Sequence, residues 1–189
     1  MIRATIGVVL GAVVMFFWGF VFWTMTPVPM LILNPLPNEA SVVSILQSQN
    51  LPAGHYIAPT PDEAAYKIDP VKAEAEAMEK RTKGPIMTII YQPGGCEMGM
   101  TMGLGFVHML ISSAFMAVLL YLAAPGLMNF GSRWLFVTLV GAFAAVNIHL
   151  GNPVWFQHTW LHAGAMAGFE TVSWVLAGVP LAALVKRSA

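Results

Sequence analysis

Asp, Glu, Lys and Arg are missing from four long stretches of this 189-residue chain: residues 4–38, 98–132, 134–169 and 171–185. A membrane-spanning helix needs about 20 consecutive, mainly apolar residues. The first stretch predicts a helix near Ala4–Thr24, stopped by Pro27 and Pro29. The second predicts one near Gly99–Ala123, ended by Pro125-Gly126. The third predicts Trp134–Leu150, stopped by Gly151-Asn152-Pro153, and the last runs from about Thr159 to Val185 with Glu170 inside it.

Composition points the same way. Only 10% of residues are charged and 57% are apolar, whereas a soluble domain carries about a quarter charged residues. Nine basic residues balance nine acidic ones, so nothing argues for a nucleic-acid partner. A single cysteine excludes an internal disulfide framework. The expected fold is all-α and membrane-embedded: four transmembrane helices with a small α/β extramembrane segment between helices one and two. Helix one falls in residues 1–24, the outer segment in 25–98, and helices two to four in 99–189.

Basic residues near helix ends stay on the cytoplasmic side. Arg3, Arg133, Lys186 and Arg187 share one side if the topology is even. Both termini are then cytoplasmic and residues 25–98 and 151–158 lie outside. Trp23, Trp155 and Trp160 then lie at the outer interface and Trp134 at the inner one, as an aromatic belt requires. Helix one has a weakly basic start, a long apolar run and no small-x-small cleavage site after Trp23, so it reads as an uncleaved anchor.

The outer segment holds nearly all the charge. Asn38-Glu39-Ala40-Ser41 starts a helix whose Val42, Val43, Ile45 and Leu46 form an apolar stripe through about Gln49. Gly54–Ala58 and Pro85–Tyr91 read as short strands bounded by Pro and Gly. Between them, Lys72–Lys83 is an Ala/Glu/Lys-rich helix or linker. A two-stranded ribbon is marginal by itself, so it needs a neighbour: the Asn38 helix, the membrane face, or another protein.

Several short motifs occur in this order: Phe16-Phe17-Trp18-Gly19, Gly54-His55-Tyr56, Gly84-Pro85, Tyr91-x-Pro93-Gly94, and Ser173-Trp174-x-x-Ala177-Gly178. On these the chain resembles a group of small four-helix bacterial inner-membrane proteins that have no assigned activity. The resemblance implies the architecture and localisation above and no mechanism.

Three sets of residues are candidates for function. Cys96-Glu97-Met98 with Met100 and Met102 offers soft ligands of the kind that select copper, and His108 follows two turns deeper; the alternative is ordinary lipid-facing packing. His158, His162, Met166, Glu170 and Trp174 recur every four residues along helix four, and His149 closes helix three. Such histidines ligate haem iron, copper or zinc, or are simply hydrogen-bonded. Glu170 costs at least about 2.5 kcal/mol to place in hydrocarbon, so it should face protein or a water-filled cavity. It either donates a hydrogen bond to a helix neighbour as a neutral acid or pairs with His162 or a group on a partner subunit. Gly7 with Gly11, and Gly164 with Gly168, form G-x-x-x-G steps that permit close helix contact, inside the bundle or with a second chain.

No catalytic residue stands out. Metalloprotease, serine-hydrolase, phosphate-loop and C-x-x-C signatures are all missing from the sequence. The expected role is a non-catalytic accessory subunit of a larger membrane complex, with other integral membrane subunits and lipids as partners. It rests on the slight outer segment, an unpaired Glu170 and two small-residue faces. The alternatives are a copper- or haem-binding protein using His108, His149, His158, His162, Cys96 and Met98, or an enzyme or lipid-binding protein working at the outer leaflet.

Overall fold

The computed structural model describes residues 2–186; Arg187, one of the four orienting cations, lies outside them. Helix α1 (Ile2–Phe20) continues through a π turn, Val21–Met25, to the short α2 (Val28–Ile32). Then come α3 (Glu39–Ser48), β1 (Gly54–Ala58), α4 (Glu63–Ile68), α5 (Pro70–Lys83) and β2 (Met87–Tyr91). Helices α6 (Met98–Ala123), α7 (Phe130–Ala145), α8 (Gly151–Phe156) and α9 (Trp160–Leu184) complete the chain. Two compact units result, Met1–Pro35 with Glu97–Ala189, and Leu36–Cys96.

Four helical stretches in the first unit are long and apolar enough to cross a membrane: Ile2–Met25, Met98–Gly126, Phe130–Phe156 and Trp160–Leu184. This is the architecture of an integral membrane protein. The third stretch outruns its expected stop at Leu150. Pro153 lacks an N–H and would crowd the carbonyl four residues back. A π turn over Val146–Leu150 precedes it, and this wider turn takes up the step, so α8 carries the helix on to Phe156. The start of α7 is a capping box: Ser132 N donates to Asn129 Oδ1 at 2.9 Å, and Asn129 N donates to Ser132 Oγ at 3.3 Å.

Helix α9 is central. It packs on α1 along one flank and on α7 along the other, while α6 leans chiefly on α1. The α1 seam uses the first glycine step. A Cβ on Gly7 would sit 3.2 Å from Leu184 Cβ, and one on Gly11 3.2 Å from Ser113 Oγ of α6. Higher up, Trp18 Nε1 donates to Phe169 O at 3.1 Å and the two rings stack, with Phe22 against the same Phe169. The α7 seam interlocks through Trp174 against Gly141 and Trp134 against Gly178. Leu120, Val137, Leu181 and Val185 close the core near the Leu184 end.

Arg133 also belongs to this end. It is only 8% exposed. Its Nε donates to Ala182 O at 2.8 Å and its Nη1 to Leu127 O at 3.3 Å. The last carbonyls of a helix lack intrahelical donors and carry partial negative charge, so a cation that bonds Ala182 O suits the end of α9.

The Leu36–Cys96 unit is built more sparsely. β1 and β2 pair antiparallel from Gly54↔Tyr91 to Ala58↔Met87. Asp62 and Asp69 cap α4 and α5 by accepting from Ala65 N and Lys72 N, at 2.8 and 3.0 Å. Ala73 and Ala77 of α5 are the unit's buried residues. Helix α3 buries none, and its Val43 and Ile45 stay exposed.

Candidate functional site

The α7–α9 seam ends in the polar contact of most interest. Successive residues along α7 meet α9 in descending order: Arg133 with Ala182, Trp134 with Gly178, Gly141 with Trp174. The two helices are therefore antiparallel. The same face of α7 carries Arg133, Val137, Gly141 and Ala145, all buried and each four residues from the next. Four-residue steps drift around an α-helix, because 3.6 residues make a turn. The π turn after Ala145 is wider and offsets that drift, which keeps His149 on the seam.

His149 Nε2 lies 2.8 Å from Glu170 Oε2. Side chains lean toward the N-terminus of their own helix. On antiparallel helices His149 and Glu170 thus lean toward each other. Their side chains are 20% and 25% exposed, so the pair sits at the edge of the packed seam rather than sealed inside it. Glu170 is about 10 residues, or roughly 15 Å, along α9 from Trp160. A hydrogen bond between spans at such a position is worth about 0.6 kcal/mol on average. It removes the cost of leaving either group unmatched in hydrocarbon.

Of the expected partners, the structure gives Glu170 a helix neighbour, His149 of the adjacent span, rather than His162 of its own helix, and Glu170 is not unpaired. Residues on one helix four or eight apart share a face, but the partner came from the neighbouring span. The antiparallel pairing of α7 and α9 brings His149 within about one turn of Glu170 across the seam, a signal that lies between two helices and not within either.

The other candidates are dispersed. Among the described residues, no group of three or more His, Cys, Asp or Glu is placed to hold a metal ion. His108 is exposed on α6, and its carbonyl accepts from Ser112 Oγ at 3.0 Å. His158 is exposed beside the Phe156 ring, and His162 is half-buried on α9. Cys96 is an exposed free thiol. Met98, Met100 and Met102 occupy the exposed first turns of α6. The structure joins His149 to Glu170 and gathers none of the remaining ligand candidates around them.

The two glycine steps part company as well. Gly7 and Gly11 pack inside the bundle, whereas a Cβ on Gly164 or Gly168 would meet nothing within 4 Å. Leu161, Val172, Leu176 and Val179 continue this open side of α9. Leu176 also borders a groove of about 470 Å³ lined by Val13, Val14, Phe17, Trp18 and Val21. The lining is apolar, with no side chain to orient a reacting group.

The chain matches no family model, no curated protein and no solved structure.

Proposed function

We propose that this protein is a non-catalytic accessory subunit of a larger integral membrane complex. It sits in a bacterial inner membrane, with both termini cytoplasmic and residues 25–98 periplasmic. The orientation follows from Arg3 and Lys186 at one end of the spans and Trp23, Trp155 and Trp160 at the other.

One observation carries the reading: the Leu36–Cys96 unit has almost no core of its own. Two alanines are buried, while Ile45, Ile57, Ile68, Val71, Met78 and Ile90 are exposed. A domain of about 60 residues is marginal even with a full core, and its one cysteine is unpaired. Such a unit gains its order from a neighbour. The open Gly164–Gly168 step on α9 fits the same role, since small residues in a span favour association only when another helix rests on them. Exposed Met25, Trp155 and Trp160 supply lipid contact at the outer interface.

Blue-native electrophoresis of gently solubilised native membranes tests the proposal. The expected result is a discrete band well above the mass of one chain, containing other membrane proteins. A sharp band at single-chain mass overturns it.

A further inference from the structure

The β1–β2 ribbon has two open edges. In each strand, alternate N–H and C=O groups point away from the partner strand. Among the described residues these outward groups meet no backbone or side-chain partner. Native proteins blunt exposed edges with Lys, Pro, inward charges or a bulge. Neither Gly54-His55-Tyr56-Ile57-Ala58 nor Met87-Thr88-Ile89-Ile90-Tyr91 contains Lys, Arg, Asp, Glu or Pro, and the register runs five against five without a bulge.

Entropy sharpens the point. Pairing β1 with β2 closes the whole connection from Pro59 to Ile86 for a ribbon of five pairs. Two strands are marginal in water, and three with an apolar face, or packing against a helix, are the usual minimum. One face of this ribbon is exposed and partly apolar, with Ile57 at 52% and Ile90 at 73%. A third strand on an open edge would supply that minimum.

We infer that the free edge of β2 is a strand-acceptor site, on which an extended segment of a partner subunit lies as the third strand. The inference rests on the accessory-subunit reading above and names the chemistry of one contact. An edge repeats donor and acceptor at strand spacing, and an extended polypeptide backbone matches that repeat. A lipid headgroup does not. The unit also has no basic excess to draw it to an anionic bilayer, with seven acidic and five basic residues between Leu36 and Cys96.

Of the two edges, β2 is the better template. Thr88, Ile89, Ile90 and Tyr91 are β-branched or aromatic, while β1 begins with Gly54 and ends with Ala58. The β1 side is also more crowded on its face: Tyr56 Oη donates to Pro52 O at 2.8 Å and its ring lies over the face of the strand at Gly54. Thr88 and Ile90 project from the exposed face, so the incoming strand should present uncharged, apolar residues at alternate positions.

The test uses the full-length chain in native membranes. A photo-reactive amino acid replaces Thr88 or Ile90 on β2, and His55 or Ile57 on β1 as controls. The β2 probes should label one stretch of one other protein, and the labelled residue should shift by two positions between Thr88 and Ile90. On blue-native gels, Ile90→Lys should lower the complex by roughly tenfold or more, and Ile57→Lys, on the same face but the other strand, should leave it. Equal loss in both lysine variants would mean that the face docks and not the edge, and would overturn the inference. So would adducts at twice the mass of this chain, adducts to lipid, or an intact complex with no β2 adduct. The wild-type lane separates the two readings: a chain that runs alone there removes the accessory role itself.

Discussion

Gly141 of α7 leaves the hollow that the indole of Trp174 on α9 fills. A Cβ at Gly141 would overlap Trp174 Cβ, Cγ and Cδ1. The exchange is reciprocal, because Trp134 of α7 lies over Gly178 of α9 and donates from Nε1 to Val175 O at 2.9 Å. In lipid, helices associate through close packing and hydrogen bonds rather than through a hydrophobic drive, so these two hollows are central to the seam.

Gly141→Ala should therefore destabilise the bundle by about 1–3 kcal/mol, the usual cost of overpacking. Gly178→Ala should cost less, since its nearest contact would be Trp134 Cδ1 at 3.1 Å and a small shift relieves it. Gly164→Ala should leave the isolated chain unchanged. Unfolding midpoints in mixed micelles titrated with SDS give the order. Equal effects at Gly141 and Gly164 would contradict the packing.

Arg133 holds the Leu184 end together through two carbonyls on different segments. Arg133→Met keeps the aliphatic stem and leaves Ala182 O and Leu127 O without this donor. Hydrogen bonds to a charged group are worth about 1.5–3 kcal/mol, and a loss of that order is expected in the same titration. Arg133→Lys should recover only part of it, because a single ammonium does not span both acceptors as the guanidinium fork does.

Thr138 offers the opposite sign. Its Oγ1 is buried without a hydrogen-bond partner among the described residues. Thr138→Val replaces the hydroxyl by a methyl of similar shape and removes a desolvated, unmatched group. The expected gain is about 1 kcal/mol, within the cost range of a buried unsatisfied hydroxyl. A fall in stability would mean that the hydroxyl is matched in the membrane.

The spans and strands were legible because their signals are local. The charge-free runs hold most of each long helix, although Arg3 and Arg133 fall in the first turns of α1 and α7 and Glu170 inside α9, and Pro and Gly punctuation located β1 and β2. Which face of each span packs inward was not legible. A helix that is apolar all round has no moment to point with. The G-x-x-x-G pattern accordingly marked two different things, an internal seam at Gly7 and Gly11 and an open face at Gly164 and Gly168. Gly141 and Gly178, which belong to no such step, line the tightest contacts. His149–Glu170 was hidden for a related reason. Helical periodicity relates residues on one helix, whereas this pair depends on the alignment of two and on a π turn that apolar patterning does not encode.

That pair yields the last prediction. If its role is to join α7 to α9, Glu170→Gln preserves shape and an amide that can donate to or accept from His149 Nε2, and should leave both folding and complex yield nearly intact. Glu170→Leu and His149→Leu each strand the other partner in a partly buried site. Each should lower stability, and the double variant should lose less than the sum of the singles. The coupling should be about 0.6 kcal/mol and no more than about 1.7, the range measured for hydrogen bonds between membrane helices. A group that carries protons or holds a metal behaves differently, since Gln then harms activity of the native membrane as much as Leu while assembly persists. Equal, severe loss of activity in Glu170→Gln and Glu170→Leu, with the complex intact, would therefore overturn the structural role.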